Sequence, residues 1–225
     1  MRILLVNPNS TGAMTRQMAH AARRVVRHDT EIVAVNPTET PPSIQGYLDV
    51  ANCLPGLIAE VRQHSDCDAV VVGCFDDTGV DALRCVTKAP VIGIGEAAFH
   101  AASMIAPKFS VVTTLSRSVA GLEANLLRYG FDRRCASVRA SDVPVLDLER
   151  GAPETLAKIR HEIAAALAQD GAEAIVLGCA GMTDLMASLS EEFDVPVVDG
   201  VTCSVTMAEA LVASGLRTSR ARTYV

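Results

Sequence analysis

The segment Val70–Gly79 reads V-V-V-G-C-F-D-D-T-G, and it places a cysteine directly after a continuous apolar run. A segment of the same form, A-I-V-L-G-C-A-G-M-T-D, begins at Ala174. The two cysteines, Cys74 and Cys179, are 105 residues apart. Apolar runs without polar alternation are typical of strands buried on both faces of a parallel sheet. The two segments therefore predict two such strands, each followed by a cysteine.

Short β-branched runs alternate with helical patterns along the rest of the chain. Met14, Met18, Ala22 and Val25, for example, keep the spacing of one helix face. This alternation is typical of an α/β fold in which helices flank parallel sheets. The predicted strands are Ile3–Val6, Ile32–Val35, Ala69–Val72, Pro90–Ile94, Ser110–Thr113, Ala174–Leu177 and Val195–Val198.

Further landmarks repeat at nearly the same offset, which indicates a duplication. Ile3–Ser10 is similar to Phe109–Ser116, and Ala89–Ile92 is similar to Val195–Val198. We therefore predict two pseudo-symmetric lobes, residues 1–106 and 107–203, with a helix at about 204–215 packing back on the first lobe. In parallel sheets ligands bind beyond the carboxyl ends of the strands, so we expect the active site in the cleft between the lobes.

Composition and charge exclude several classes of protein. The 225 residues carry a net charge of −6 without a Lys/Arg-rich run, which argues against nucleic-acid binding. No apolar run approaches the roughly 18 residues of a membrane helix, and no secretory signal is evident, so a cytoplasmic protein without a membrane partner is expected. The seven cysteines include no C-x-x-C pair and the five histidines lack metal-ligand spacing, which predicts reduced thiols and no metal.

The position of Cys74 and Cys179 suggests chemistry. A thiol between a strand end and a helix start meets backbone N–H groups that favour the thiolate below its usual pKa of about 8.5. Two thiols on opposite sides of a cleft could remove a proton from one face of a carbon and deliver one to the other, with no cofactor. A single such cysteine would be interpreted as a packing residue. That interpretation is kept for the five others, Cys53, Cys67, Cys85, Cys135 and Cys203.

Seven motifs in order extend this pattern over essentially the whole chain. They are V-N-P-N-S (6–10), P-S-I-Q-G-Y (42–47), C-F-D-D-T-G (74–79), G-I-G-E-A-A-F-H (93–100), F-S-V-V-T-T-L-S-R-S (109–118), L-G-C-A-G-M (177–182) and P-V-V-D-G-V-T (196–202). Together they resemble the aspartate/glutamate/hydantoin racemase superfamily, with the hydantoin racemases nearest and the allantoin racemases next. The resemblance implies cofactor-independent racemisation next to a carbonyl, with Cys74 and Cys179 as acid and base, and a homo-oligomer. Gln45 stands where members often have an acidic residue, which puts a role for a carboxylate there in doubt.

The resemblance points to a 5-monosubstituted hydantoin as the substrate. Removal of its C5 proton gives an enolate-like anion, so hydrogen-bond donors are expected around the C4 oxygen. Ser43 and Ile44 could form a lid or the pocket for the 5-substituent. Asn9 and Thr114 could equally only cap turns. The candidate binding groups are the side chains of Asn9, Thr113 and Thr114 and the backbone N–H groups of Phe75, Ala180 and Gly181.

Other polar motifs have plainer interpretations. Asp76 and Asp77 are interpreted as acidic residues that cap the start of a helix, and Glu96 as a helix-start or subunit-contact residue. Gly93–Ala98 fits the pattern G-x-G-x-x-A, but it follows a fourth strand and lacks an acidic residue at a strand end about 20 positions on. A nucleotide site there is therefore not expected.

Alternative functions stay open on the sequence alone. An allantoin racemase, or a superfamily isomerase or decarboxylase acting on small dicarboxylates, would use the same fold. Decarboxylases of this superfamily keep only one of the two cysteines, which counts against that choice. A two-lobed protein that only binds a small ligand is a different class that the fold pattern also permits.

Overall fold

The structure is a computed structural model that describes residues 1–148 and 152–225. The chain divides into two compact units. The first unit comprises Met1–Ile94 together with Val201–Val225, and the second comprises Gly95–Gly200. Each unit contains one four-stranded parallel sheet with helices around it.

In the first unit the strand order is β2-β1-β3-β4, and every neighbouring pair is parallel. The central strands β1 and β3 are almost fully buried, because helices cover both faces of the sheet. The apolar side chains of α2 and α3 pack on them around Leu4, Leu57 and Leu83. The elements are β1 (Arg2–Val6), α1 (Gly12–Val25), β2 (Glu31–Val35), α2 (Tyr47–Gln63), β3 (Ala69–Val72), α3 (Val80–Val86) and β4 (Val91–Gly93), and α9 (Gly200–Ala213), which lies in this unit from Val201.

The second unit repeats this arrangement with the strand order β6-β5-β7-β8, again entirely parallel. Its edge strand β6 is absent from the list of strands predicted from the sequence, since none of its side chains is fully buried. The elements are α4 (Ile94–Ile105), which lies in this unit from Gly95, then β5 (Phe109–Thr113), α5 (Ser116–Tyr129), β6 (Cys135–Ala140), α6 (Val145–Leu148), α7 (Pro153–Gln169), β7 (Ala174–Leu177), a 3₁₀ helix (Ala180–Leu185), α8 (Met186–Phe193) and β8 (Val197–Asp199).

The helix that follows the fourth strand of each unit belongs to the other unit. In α4, the Phe99 ring stacks on Phe109 with centroids 6.0 Å apart, and Arg134 donates to the carbonyl oxygen of Ala106 at 2.8 Å. The second unit therefore begins at Gly95, twelve residues before the boundary expected from the sequence, because α4 buries its aromatic side chain there.

The helix α9 follows β8 but groups with the first unit. Its Glu209 carboxylate accepts hydrogen bonds from the backbone N–H of Arg27 at 3.0 Å and from the hydroxyl of Thr30. Among the described residues, no helix has the length and apolar character needed to span a membrane.

Candidate active site

The first cysteine turn, Gly73–Gly79, begins where β3 ends. The Gly73 N–H donates to the carbonyl oxygen of Val6 at 2.8 Å and so continues the β1–β3 ladder by one residue. Cys74 follows at the carboxyl end of the sheet, and its carbonyl accepts the N–H of Asp77 at 3.0 Å. Cys74 is thus held in a tight turn and remains partly exposed.

Asp76 turns back towards Cys74 instead of capping a helix. Its Oδ1 accepts the backbone N–H of Thr78 at 3.1 Å and also the Thr78 hydroxyl. The interpretation of Asp76 and Asp77 as helix caps was wrong, because α3 starts only at Val80 and its N-cap is Gly79 in a left-handed conformation (φ 72°). A loop of this kind leaves the Asp76 carboxylate beside the thiol.

The expectation that the Cys74 thiolate is favoured was also wrong. Desolvation raises the pKa of the Cys74 thiol well above its ordinary value, and the charge of Asp76 and its hydrogen bond to the thiol raise the pKa further. The Thr78 hydroxyl and the backbone N–H of Asp76 act in the opposite direction but do not outweigh them. Cys74 is therefore a protonated thiol at neutral pH.

Asp77 is buried and has a positive φ of 55°, which an aspartate tolerates better than most residues. Its carboxylate lies against the Cα of Gly93, the last residue of β4. A Cβ at position 93 would come within 1.9 Å of Asp77 Oδ1. The glycine of the G-x-G-x-x-A pattern is thus explained by close contact with Asp77 and not by a nucleotide phosphate.

The second cysteine turn, Gly178–Leu185, begins at the corresponding end of β7. The Gly178 N–H donates to the carbonyl oxygen of Val112 at 2.8 Å, as Gly73 does to Val6. The Thr113 hydroxyl donates to the carbonyl oxygen of Gly178 at 2.9 Å, so this predicted binding residue holds the turn from the neighbouring strand. Cys179 itself is buried, with 9% of its surface exposed.

A buried hydroxyl and a buried carboxylate brace this second turn. The Thr183 hydroxyl lies 2.7 Å from the carbonyl oxygen of Ala180 and 2.8 Å from Asp199 Oδ1, at the end of β8. Gly181 has no side chain, and a Cβ there would lie 3.0 Å from Leu148 Cδ1 and 3.7 Å from Cys179 Sγ. The contact between Thr183 and Asp199 was not predicted from the sequence, because only the sheet register brings the two residues together.

Asn9 lies in the loop after β1, the strand next to β3, and is buried. Its Oδ1 accepts the N–H of Thr11 at 2.9 Å and Asn7 Nδ2 at 3.0 Å, so the turn-forming role allowed by the sequence is present. Its own Nδ2 contacts Met14 Sδ at 3.8 Å, a weak acceptor. A strong donor thus stays available at this sheet edge. Asn7, which fixes Asn9, was missed, although its position after a buried strand signals it.

The segment with Ser43 and Ile44 is attached to the loop that carries Asn9. The Thr11 hydroxyl donates to the carbonyl oxygen of Pro42 at 2.6 Å. Ser43 is buried and accepts a hydrogen bond from Gln45 Nε2 at 2.6 Å, while Ile44 is half-buried. Gln45, the residue that departs from the family pattern, therefore orients Ser43.

The remaining predicted binding groups lie near the two cysteines in sequence. Thr114, after β5, is buried, and its carbonyl accepts the N–H of Val143 at 3.2 Å. Its hydroxyl has no hydrogen-bond partner within residues 1–148 and 152–225. Phe75 and Ala180, directly after the cysteines, are also buried.

The other five cysteines lie outside these turns. Burial raises the pKa of Cys53 to about 12 and that of Cys135 to about 11, as expected for packing residues. Cys85 is exposed, so the interpretation as a packing residue was wrong for it. All seven cysteines lie in the described part of the chain, and none forms a disulfide. The described residues contain no group of three or more His, Cys, Asp or Glu side chains that could hold a metal ion.

Comparison with known proteins adds an independent line of evidence. The profile of the family described as Asp/Glu/Hydantoin racemase matches residues 3–208. A hydantoin racemase of Rhizobium meliloti is 50% identical over 100% of this chain and 94% of its own, and one of Pseudomonas sp. (strain NS671) is 43% identical over 100% and 91%. The structure of an allantoin racemase from Klebsiella pneumoniae superposes with a TM-score of 0.96 at 43% identity, covering 100% of this chain and 92% of that one.

Proposed function

The chain belongs to the Asp/Glu/hydantoin racemase family and is an isomerase, and we propose that it racemises 5-monosubstituted hydantoins with Cys74 and Cys179 as its two proton-transfer groups. One observation carries the proposal. Each cysteine is the second residue after the third strand in the order of its sheet, with a glycine between them; the strand is β3 in β2-β1-β3-β4 and β7 in β6-β5-β7-β8. Duplicated elements thus present a thiol at equivalent positions.

The proposed mechanism transfers one proton at each thiol. One cysteine, as thiolate, removes the C5 proton, and the electron pair of the C–H bond moves into the adjacent carbonyl to give an enolate. The other cysteine, as thiol, donates its proton to C5 from the opposite face. Protons are exchanged but not consumed, so the reaction needs no redox partner.

The enolate oxygen requires donors that are in place before the proton leaves. The Nδ2 group of Asn9 is proposed as one of these donors. The backbone N–H groups of Phe75, Ala180 and Gly181, which follow the two cysteines in the chain, are proposed as the others. Thr114 contributes a hydroxyl, whereas the hydroxyl of Thr113 is engaged with Gly178. In this proposal Thr113 therefore acts on the substrate only through the position of Cys179.

Allantoin is a second candidate substrate, since it is itself a 5-substituted hydantoin. The chain is as similar to the allantoin racemase of Klebsiella pneumoniae as to the hydantoin racemase of Pseudomonas sp., at 43% identity in each case. Sequence identity therefore does not separate the two activities. Ser43 and Ile44 are proposed to contact the 5-substituent, where hydantoins and allantoin differ.

A polarimetric screen tests the proposal. Single enantiomers of isobutyl-, benzyl- and methylthioethyl-hydantoin are compared with allantoin, each in H₂O and in D₂O. We expect loss of optical rotation with at least one of the hydantoins, and one deuterium at C5 in every product molecule. Racemisation of allantoin alone would select the second candidate. Binding of hydantoins in a calorimeter without any loss of rotation or any exchange at C5 would overturn both.

A further inference from the structure

The residue two positions after each cysteine lies against the thiol, and this residue differs between the two turns. In the second turn it is Gly181, and a Cβ at this position would lie 3.7 Å from Cys179 Sγ. In the first turn it is Asp76, whose carboxylate forms a hydrogen bond with the Cys74 thiol. The position two residues after the cysteine therefore carries a carboxylate in the first turn and no side chain in the second turn.

The Asp76 carboxylate is fixed and cannot easily turn away. Its Oδ1 accepts the backbone N–H of Thr78 at 3.1 Å and the Thr78 hydroxyl. The neighbouring Asp77 points elsewhere, against Gly93. An ionised carboxylate held at a thiol accepts the S–H hydrogen bond and opposes a second negative charge on the sulfur.

We propose that Asp76 is a positioning residue that keeps the proton on Cys74, so that Cys74 starts the reaction as the acid of the pair. This inference rests on the two-thiol mechanism proposed above. In that direction of the reaction Cys179, as thiolate, removes the C5 proton and Cys74 gives its S–H proton to the opposite face. Cys74 is then a thiolate beside Asp76, and it regains a proton from water while Cys179 loses one to water. Asp76 stays ionised throughout.

Alkylation by iodoacetamide, followed site by site with peptide mass spectrometry, tests the resting state. Asp76→Asn keeps the acceptor for the Thr78 N–H but removes the charge. At pH 8 it is expected to speed alkylation of Cys74 at least about threefold, because a lower thiol pKa raises the thiolate fraction more than it reduces nucleophilicity. Alkylation of Cys179 should keep its rate, and Asp76→Glu should keep Cys74 slow.

Asp77→Asn is the matched control, since it removes a charge one residue away that does not face the thiol. We expect it to change the Cys74 rate less than Asp76→Asn does. The inference would be overturned if Asp76→Asn left the alkylation rate of Cys74 unchanged or lowered it, or if it changed the alkylation rate of Cys179 equally. Circular dichroism of each variant shows whether it is folded.

Deuterium washout from C5 connects the resting state to the reaction. In Cys179→Ser, Cys74 alone must act as the base, so adding Asp76→Asn should speed the washout from one enantiomer. In Cys74→Ser, the same substitution should leave the washout by Cys179 unchanged. If both single-cysteine variants still racemise fully, the two-thiol mechanism fails. If they behave as expected but Asp76→Asn changes neither washout nor alkylation, only the role of Asp76 fails.

Discussion

The two cysteine turns start from the same sheet position and are then built differently. In the first turn Asp76 and Asp77 supply two carboxylates from within the loop, and one of them lies against the glycine that ends β4. In the second turn the loop has no carboxylate at these two positions, and Asp199 reaches Thr183 from the end of β8. In both units a carboxylate joins the turn to the fourth strand. In the first unit the turn supplies this carboxylate, and in the second unit the strand supplies it.

This difference shows that duplication preserved the backbone frame and not the electrostatics of the turns. The N–H of each pre-cysteine glycine bonds the first strand in the same way, at 2.8 Å in both units. The side chains at the second position after each cysteine differ, and the pKa of Cys74 is raised by desolvation and by the charge of Asp76. The equivalence of the two thiols in position therefore need not extend to their resting protonation.

The largest expected effect comes from removing either thiol. Cys74→Ser and Cys179→Ser should each lower the racemisation rate by about 10²–10⁴-fold, because proton transfer by a positioned side chain contributes on that order. Each variant should still exchange the C5 hydrogen of one enantiomer, and the two variants should choose opposite enantiomers. Polarimetry gives the first quantity and mass spectrometry in D₂O gives the second.

Cys85→Ser is the control for these two variants, since Cys85 is exposed and lies outside both turns. Its racemisation rate should match that of the unmodified protein. Exchange of the same enantiomer by both catalytic variants would contradict the idea that the thiols act on opposite faces.

A smaller difference is expected for the two glycines before the cysteines. A Cβ at Gly178 would lie 2.8 Å from Thr113 Cβ and 2.9 Å from Thr113 Cα, atoms that cannot move without shifting β5. A Cβ at Gly73 would meet Met18 Sδ at 2.7 Å, near the end of a flexible side chain. Gly178→Ala should therefore cost about 2–3 kcal/mol of stability and Gly73→Ala under about 1 kcal/mol.

Differential scanning fluorimetry checks this pair, because about 1 kcal/mol shifts the Tm of a chain of this size by about 2–4 °C. Equal losses of Tm in the two alanine variants would contradict the idea that Met18 on α1 moves aside more easily than Thr113 on β5.

The smallest effect concerns the edge strands and is dependent on pH. In the second unit Arg139 donates two hydrogen bonds to Asp170, at 2.6 and 2.9 Å, and these bonds, with one from Ser137, lower the pKa of Asp170. A lowered carboxyl pKa adds stability that is present above the unfolded pKa of about 3.9 and is lost as the pH falls through the folded value. Asp170→Asn should therefore lower the Tm by a few degrees at pH 7, with the difference shrinking below about pH 4.

In the first unit, Glu31 at the edge strand β2 pairs with Arg2, but 60% of its side chain is exposed. Glu31→Gln is thus the matched comparison and should change the Tm less than Asp170→Asn at pH 7. A larger effect of Glu31→Gln, or a difference for Asp170→Asn that grows in acid, would contradict the assignment of the stronger ion pair to the second unit.

Much of the fold could be predicted because the buried strands appear in the sequence as continuous apolar runs. Ala69–Val72 and Ala174–Leu177 have the bounds expected from their apolar runs. The edge strand β6 was less visible, since its residues are only half-buried and the pattern C-A-S-V-R-A carries little periodicity. The grouping of α4 with the second unit is not visible in the sequence, because helical spacing does not indicate which core receives Phe99.

The candidate site shows the same division. Cys74, Cys179 and Asn9 could be proposed from the sequence because each follows a buried strand, and strand ends are local features of the sequence. Asp77, Thr183 and Asp199 were misinterpreted or missed, because their contacts join elements that are far apart in the chain. Sequence spacing carries no information on such pairs until the sheet register is known.

The sequence by itself determined the parallel α/β architecture, its duplication, and the two cysteines at matching strand ends, because burial on both faces of a sheet requires continuous apolar runs. Only the tertiary structure decided the state of the Cys74 thiol. A helix start was expected to lower the pKa of Cys74, but the chain folds Asp76 back onto the sulfur and delays the helix to Val80. The pKa depends on the solvent and charges within a few ångströms of the sulfur, and those are set by the fold of the turn and not by its order of residues.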